Sequence, residues 1–99
     1  MEYEIILHPE AEKEYLKACV WYEKKVVGLG HRFKNAVLEQ LQLIKEKPEH
    51  YPVKKRNYRE SNVDIFPYLV VYKVNKERGF IYIVSIFHTS KNPKKKYRT

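Results

Sequence analysis

The sequence predicts a single α+β domain in the order β-α-α-β-β-β, an N-terminal helical hairpin packed on an antiparallel sheet. Three observations carry this expectation. Two arms dense in β-branched and aromatic residues, 65–74 and 80–88, flank the polar link Asn75-Lys76-Glu77-Arg78-Gly79, which is the pattern of a β-hairpin. Two earlier segments carry apolar residues at helical spacing, and only Gly28-Leu29-Gly30 separates them, so the helices must run antiparallel. At 99 residues the chain can build one core and not two. Residues 1–99 are therefore read as one domain, with a basic tail at 90–99.

Each element follows from local chemistry. Tyr3, Ile5 and Leu7 alternate with Glu2, Glu4 and His8, a short first strand. Pro9 suits the first turn of a helix, and Glu10, Glu12 and Glu14 follow it where the helix dipole favours acids. Ala11, Tyr15, Ala18 and Tyr22 line one face of that helix as far as Lys25. The second helix carries Leu29, Phe33, Val37, Leu41 and Ile44 as its stripe, and Pro48 ends it. Residues 53–60 read as one twisted, half-exposed polar strand, with a turn at Ser61-Asn62. In the two central arms odd and even positions are both apolar, so that hairpin should be covered on both faces or sit at the sheet centre. The expected core comprises Ile5, Leu7, Tyr15, Phe33, Val37, Leu41, Leu69, Val71, Tyr82, Val84 and Ile86.

Composition narrows the function classes. Twenty Lys+Arg against twelve Asp+Glu leave a formal charge of +8, which favours anionic partners such as nucleic acid or an acidic protein. No apolar run is long enough to span a bilayer, and the acidic start is unlike a signal peptide. The single Cys19 excludes an internal disulfide and fits a reducing cytoplasm. His8, His31, His50 and His88 stand far apart without companions at metal-ligand spacing; neither a metal nor any other cofactor is expected. No glycine loop is built to cradle phosphate.

What remains is suited to anion binding or to metal-free RNA cleavage. Arg56 and Arg59 come from the polar strand, and His88 ends the last strand. Lys91, Lys94, Lys95, Lys96, Tyr97 and Arg98 belong to the tail. These nine form the expected target-binding set, and the tail cations should stay exposed because the tail contains no carboxylate. For cleavage, Glu60 or His88 would be the base, His88 or Tyr97 the acid, and Arg59 a phosphate clamp. Tyr68, Tyr72 and Tyr82 read as packing residues.

Several segments together carry a family resemblance. They are the strand entering Pro9-Glu10-Ala11-Glu12-Lys13-Glu14, then Trp21-Tyr22-Glu23, and Gly28-Leu29-Gly30-His31-Arg32-Phe33. Lys47-Pro48-Glu49-His50-Tyr51-Pro52, Phe66-Pro67-Tyr68-Leu69-Val70-Val71-Tyr72 and Ile86-Phe87-His88 through Pro93 complete the series. In this order the chain resembles toxins of the RelE/ParE superfamily from bacterial type II toxin–antitoxin operons. The resemblance implies a small basic toxin wrapped by an acidic antitoxin. It implies one of two targets: DNA gyrase for ParE-like members, or ribosome-bound mRNA, cut by RelE-like endoribonucleases. Aligned on Tyr72, an arginine of the nuclease branch corresponds to Leu69 here, and a second falls near Thr89, with Lys91 close by. The Phe66-Pro67-Tyr68 and Ile86-Phe87-His88 segments look more ParE-like. A third reading is a non-toxic member that acts only in complex formation.

Overall fold

The computed structural model describes residues 2–98. The element order is β1 (Glu4–Leu7), α1 (Pro9–Lys25), α2 (Leu29–Glu46), β2 (Val53–Lys55), β3 (Tyr58–Asn62), β4 (Tyr68–Asn75) and β5 (Phe80–His88), with a 3-10 turn at Pro93–Lys95. The α+β class and the helical hairpin stand as the sequence predicts. The sheet has the order β1-β5-β4-β3-β2. It is antiparallel except at one edge, where β1 runs parallel to β5 with Ile5 opposite Ile81.

The helices begin and end for identifiable reasons. His8 caps α1, its Nδ1 accepting from the Glu10 N–H at 3.0 Å, and Pro9 occupies the first turn. Gly28 precedes α2 at φ 89° and has no side chain to cap it. Glu23 of α1 supplies the acceptors instead, taking the N–H groups of Gly28 at 2.8 Å and Gly30 at 3.0 Å. The spacing Trp21-Tyr22-Glu23…Gly28-Leu29-Gly30 is thus a cap shared across the helical hairpin.

The helices cover one face of the sheet. There Ala11, Ala18, Phe33, Val37 and Ile44 meet Val70, Tyr72, Ile81, Ile83 and Ile86, and the buried Tyr72 hydroxyl donates to the Pro48 carbonyl at 2.8 Å. A second cluster, Tyr58, Val71, Val84 and Phe87, occupies the opposite face, with Leu69, Tyr82 and Tyr97 packed against it. Two-sided cover was expected of the central hairpin, and the second cover is the tail. Of the expected core, Phe33, Val37, Val71, Val84 and Ile86 are fully buried, whereas Ile5, Leu7, Tyr15, Leu41, Leu69 and Tyr82 line its margins.

Three features differ from expectation. The polar stretch expected as one strand is a hairpin: β2 and β3 turn at Arg56-Asn57, with Arg56 at φ 53°. Ser61 and Asn62 belong to β3 and pair with Val70 and Leu69, since register with β4 outweighs their turn preference. Residues 65–67 lie outside the strand expected there. Ile65 sits at φ 73° and is 79% exposed, while the Val63 N–H closes the connection on the Tyr68 carbonyl at 2.9 Å.

Candidate functional site

The residues expected to bind a target are divided between the two faces of the sheet. Strand alternation decides this in β3, where Tyr58 and Glu60 point to the tail side and Arg59 to the helix side. The Arg59 guanidinium donates to the carbonyls of Tyr51 at 2.5 Å and Glu49 at 3.1 Å. It tethers the connection between α2 and β2 and lies beside Tyr72, whose hydroxyl burial pushes up to about 12 against the pull of Arg59.

On the tail side, Glu60 is nearly enclosed. Its carboxylate accepts from Lys96 Nζ at 3.2 and 3.3 Å and from the Tyr97 hydroxyl. Burial, then the Glu60 hydrogen bond and charge, push Tyr97 up to about 12. Lys55 and Lys96 lie over the Tyr97 ring, 5.8 and 5.5 Å from its centroid, and Lys73 lies over Tyr58 at 5.2 Å. These lysines give the tail side a basic and aromatic character.

Arg98 closes the arrangement. Its two amino groups donate to Glu14 of α1 at 3.0 and 3.1 Å, and one also donates to the Val84 carbonyl at 2.8 Å. A bulge leaves Val84 without a partner on β4, because Val71 faces Ser85 and Tyr72 faces Ile83. The Arg98 carbonyl accepts from the Tyr58 hydroxyl at 2.8 Å. Glu14 also accepts from the Ile86 N–H at 3.0 Å and the Ser85 hydroxyl at 3.1 Å, occupying the edge of β5 beyond the end of β1. The expectation of an exposed, unpaired tail therefore holds for Lys91, Lys94 and Lys95 and is corrected for Lys96 and Arg98. Their carboxylate partners lie 36 and 84 residues away along the chain, a distance at which no local pattern reveals them.

His88 ends β5 on the helix side. Its ring meets Tyr68 edge-on with centroids 4.9 Å apart, and its Nδ1 accepts from the Ser90 N–H at 3.1 Å. With Ser90 and Lys91 it lines a cleft against Lys13, Lys17 and Trp21 of α1. Arg56 projects from the β2–β3 turn and is exposed. The four residues considered for catalysis thus do not converge. Glu60 and Tyr97 share one site, while Arg59 and His88 lie on the other face and are engaged with different segments. Glu14, Lys55 and Lys73 were missed as site-forming residues; Lys55 in the basic polar stretch and Lys73, a lone cation in an apolar arm, carried a signal in the sequence.

A helical hairpin over a mixed sheet, with a basic tail folded onto the opposite face, is the fold of this chain, and its match to a toxin family places it in the RelE/ParE superfamily. Residues 5–93 match the family described as ParE toxin of type II toxin-antitoxin system, parDE, and the chain belongs to that family. A solved structure described as the chromosomal ParDE TA system from P. aeruginosa is similar, with a TM-score of 0.73 and 13% identity. The match covers 88% of this chain and 96% of that one. No curated protein matches the chain by sequence.

Proposed function

We propose that this chain is a ParE-like toxin that inhibits DNA gyrase in the cytoplasm by binding, with no catalysis of its own, and is neutralised by an acidic antitoxin. The observation that carries this reading is the dispersal of the nuclease candidates. Cleavage needs a base, an acid and a cation around one phosphate. Here Arg59 is spent on backbone carbonyls, and Glu60 is held by Lys96 and Tyr97. By the resemblance aligned on Tyr72, Leu69 stands where RelE-like nucleases carry an arginine. The alternative, RelE-like cleavage of ribosome-bound mRNA, would require these groups to rearrange.

The target contacts we propose are sorted by their geometry. Arg56, Lys91, Lys94 and Lys95 are exposed and reach the target directly. Arg59, Lys96, Tyr97 and Arg98 hold the surface in shape, and His88 stands at its edge. The antitoxin reading is supported by the +8 charge, by half-exposed Leu16, Val20, Leu38 and Leu43 on the helices, and by Val53 at the open β2 edge. These suit helix packing and strand addition by an acidic segment.

The deciding experiment expresses the chain without antitoxin, then assays gyrase supercoiling and maps mRNA ends in parallel. Growth arrest with blocked supercoiling and unchanged mRNA ends is expected, and replacing Lys91, Lys94 and Lys95 together by glutamine should relieve it. New ribosome-dependent ends with normal supercoiling would establish the nuclease. A harmless protein that still binds its antitoxin would leave only complex formation.

A further inference from the structure

The cleft between α1 and the end of β5 has a chemistry that gyrase inhibition does not explain. It encloses about 410 Å³ and is lined by Lys13, Lys17, Trp21, His88, Ser90 and Lys91, with Tyr22, Tyr68 and Ile86 among its apolar walls. Two acids also face it, and both are engaged: Glu10 pairs with Lys13 at 3.2 Å, and Glu14 is taken by Arg98. Lys17 and Lys91 have no ion-pair partner among the described residues.

The cleft offers what a nucleic-acid strand needs, cations beside an exposed aromatic ring. Strand addition is closed here, because Glu14 takes the Ile86 N–H and Arg98 takes the Val84 carbonyl. A ligand must therefore be held by side chains. Lys13, Lys17, Trp21 and Lys25 follow one another at intervals of four, which lines them along one helix face. His88 accepts at Nδ1, which leaves Nε2 to carry the proton and donate. Trp21 is 56% exposed at the rim, with Lys25 over its ring at 4.9 Å and Tyr22 packed at 84° to it, and an exposed indole can stack on a base.

We propose that this cleft binds a phosphodiester strand, with Lys17 and Lys91 meeting phosphates, His88 donating from Nε2 and Trp21 stacking on a base. The site shares His88 and Lys91 with the target surface proposed above, but it does not rest on gyrase being the target.

Trp21 is the sole tryptophan of the chain, so its fluorescence reports directly on the cleft. The full-length protein is titrated with a single-stranded DNA oligonucleotide, with inorganic phosphate and with poly-glutamate, at low and at high salt. Saturable quenching by the oligonucleotide is expected, weakening steeply with salt. Phosphate should bind at least tenfold more weakly. A K17E/K91E variant, checked for native circular dichroism, should lose at least tenfold in oligonucleotide affinity. The same loss should appear in the anisotropy of a labelled oligonucleotide, and W21A should weaken that binding independently. Absence of quenching, undiminished affinity in K17E/K91E, or equal quenching by poly-glutamate would each overturn the proposal, whatever the supercoiling assay shows.

Discussion

Tyr97 shows how a single residue joins the tail to the sheet. Its ring packs on Tyr58, with centroids 5.1 Å apart, and its hydroxyl donates to Glu60. Tyr97→Phe keeps the ring and removes the donor, leaving a nearly enclosed carboxylate with Lys96 alone. A loss of about 1 kcal/mol in urea unfolding is expected at pH 8. The pH dependence has a definite sign. The folded state raises the Tyr97 pKa from 10 to about 12, so it favours the protonated hydroxyl. That contribution is complete below pH 10 and is lost as pH rises toward 12. The stability advantage of the parent over Tyr97→Phe should shrink across that window. An advantage that stays constant to pH 12 would show that the hydroxyl is not held as described.

At the scale of elements, the helical hairpin depends on a close crossing at Gly30. A Cβ there would stand 2.5 Å from the Cys19 carbonyl oxygen and 2.9 Å from Glu23 Cβ. Neither α1 backbone nor the capping Glu23 can yield cheaply. Gly30→Ala should cost about 3 kcal/mol by overpacking. Gly28→Ala meets nothing within 4 Å but sits at φ 89°, so only conformational strain of about 1 kcal/mol applies. Thermal melts of the two variants should separate them clearly. Equal losses would mean that the turn, not the crossing, sets the hairpin. The strand pairs behave differently. β4 and β5 are specified by their apolar content, whereas the three residues of β2 are all exposed and exist as a strand only because β3 offers an edge.

For the whole molecule, the two-sided sheet predicts a gradient of stability. Amides of residues 80–86 lie between β1 and β4 or beneath Arg98 and Glu14, and should exchange only through global unfolding. Residues 91–95 are exposed, and should exchange within seconds to minutes. Protection in 96–98 should fall between these limits, because that segment is held by side-chain links to Glu60 and Glu14 and has no strand partner. Hydrogen exchange followed by mass spectrometry resolves the three groups. Exchange at 80–86 as fast as at 91–95 would be incompatible with the architecture.

The helices, the central hairpin and the α+β class were legible because each rests on neighbours in sequence: Pro9 and Pro48 bounding helices, apolar stripes at helical period, β-branched arms around a polar turn. The excess of positive charge was equally plain. Tertiary structure alone decided what the charges do. Lys96 and Arg98 look like solvated tail residues until Glu60 and Glu14 are brought beside them, and Arg59 looks like a phosphate clamp until the carbonyls of Glu49 and Tyr51 meet it. Strand alternation then places Arg59 and Glu60 on opposite faces, although they are adjacent in sequence. Periodicity reports which face of an element is apolar, a local property. The partner of a charge is set by which strands become neighbours, and that requires the completed sheet.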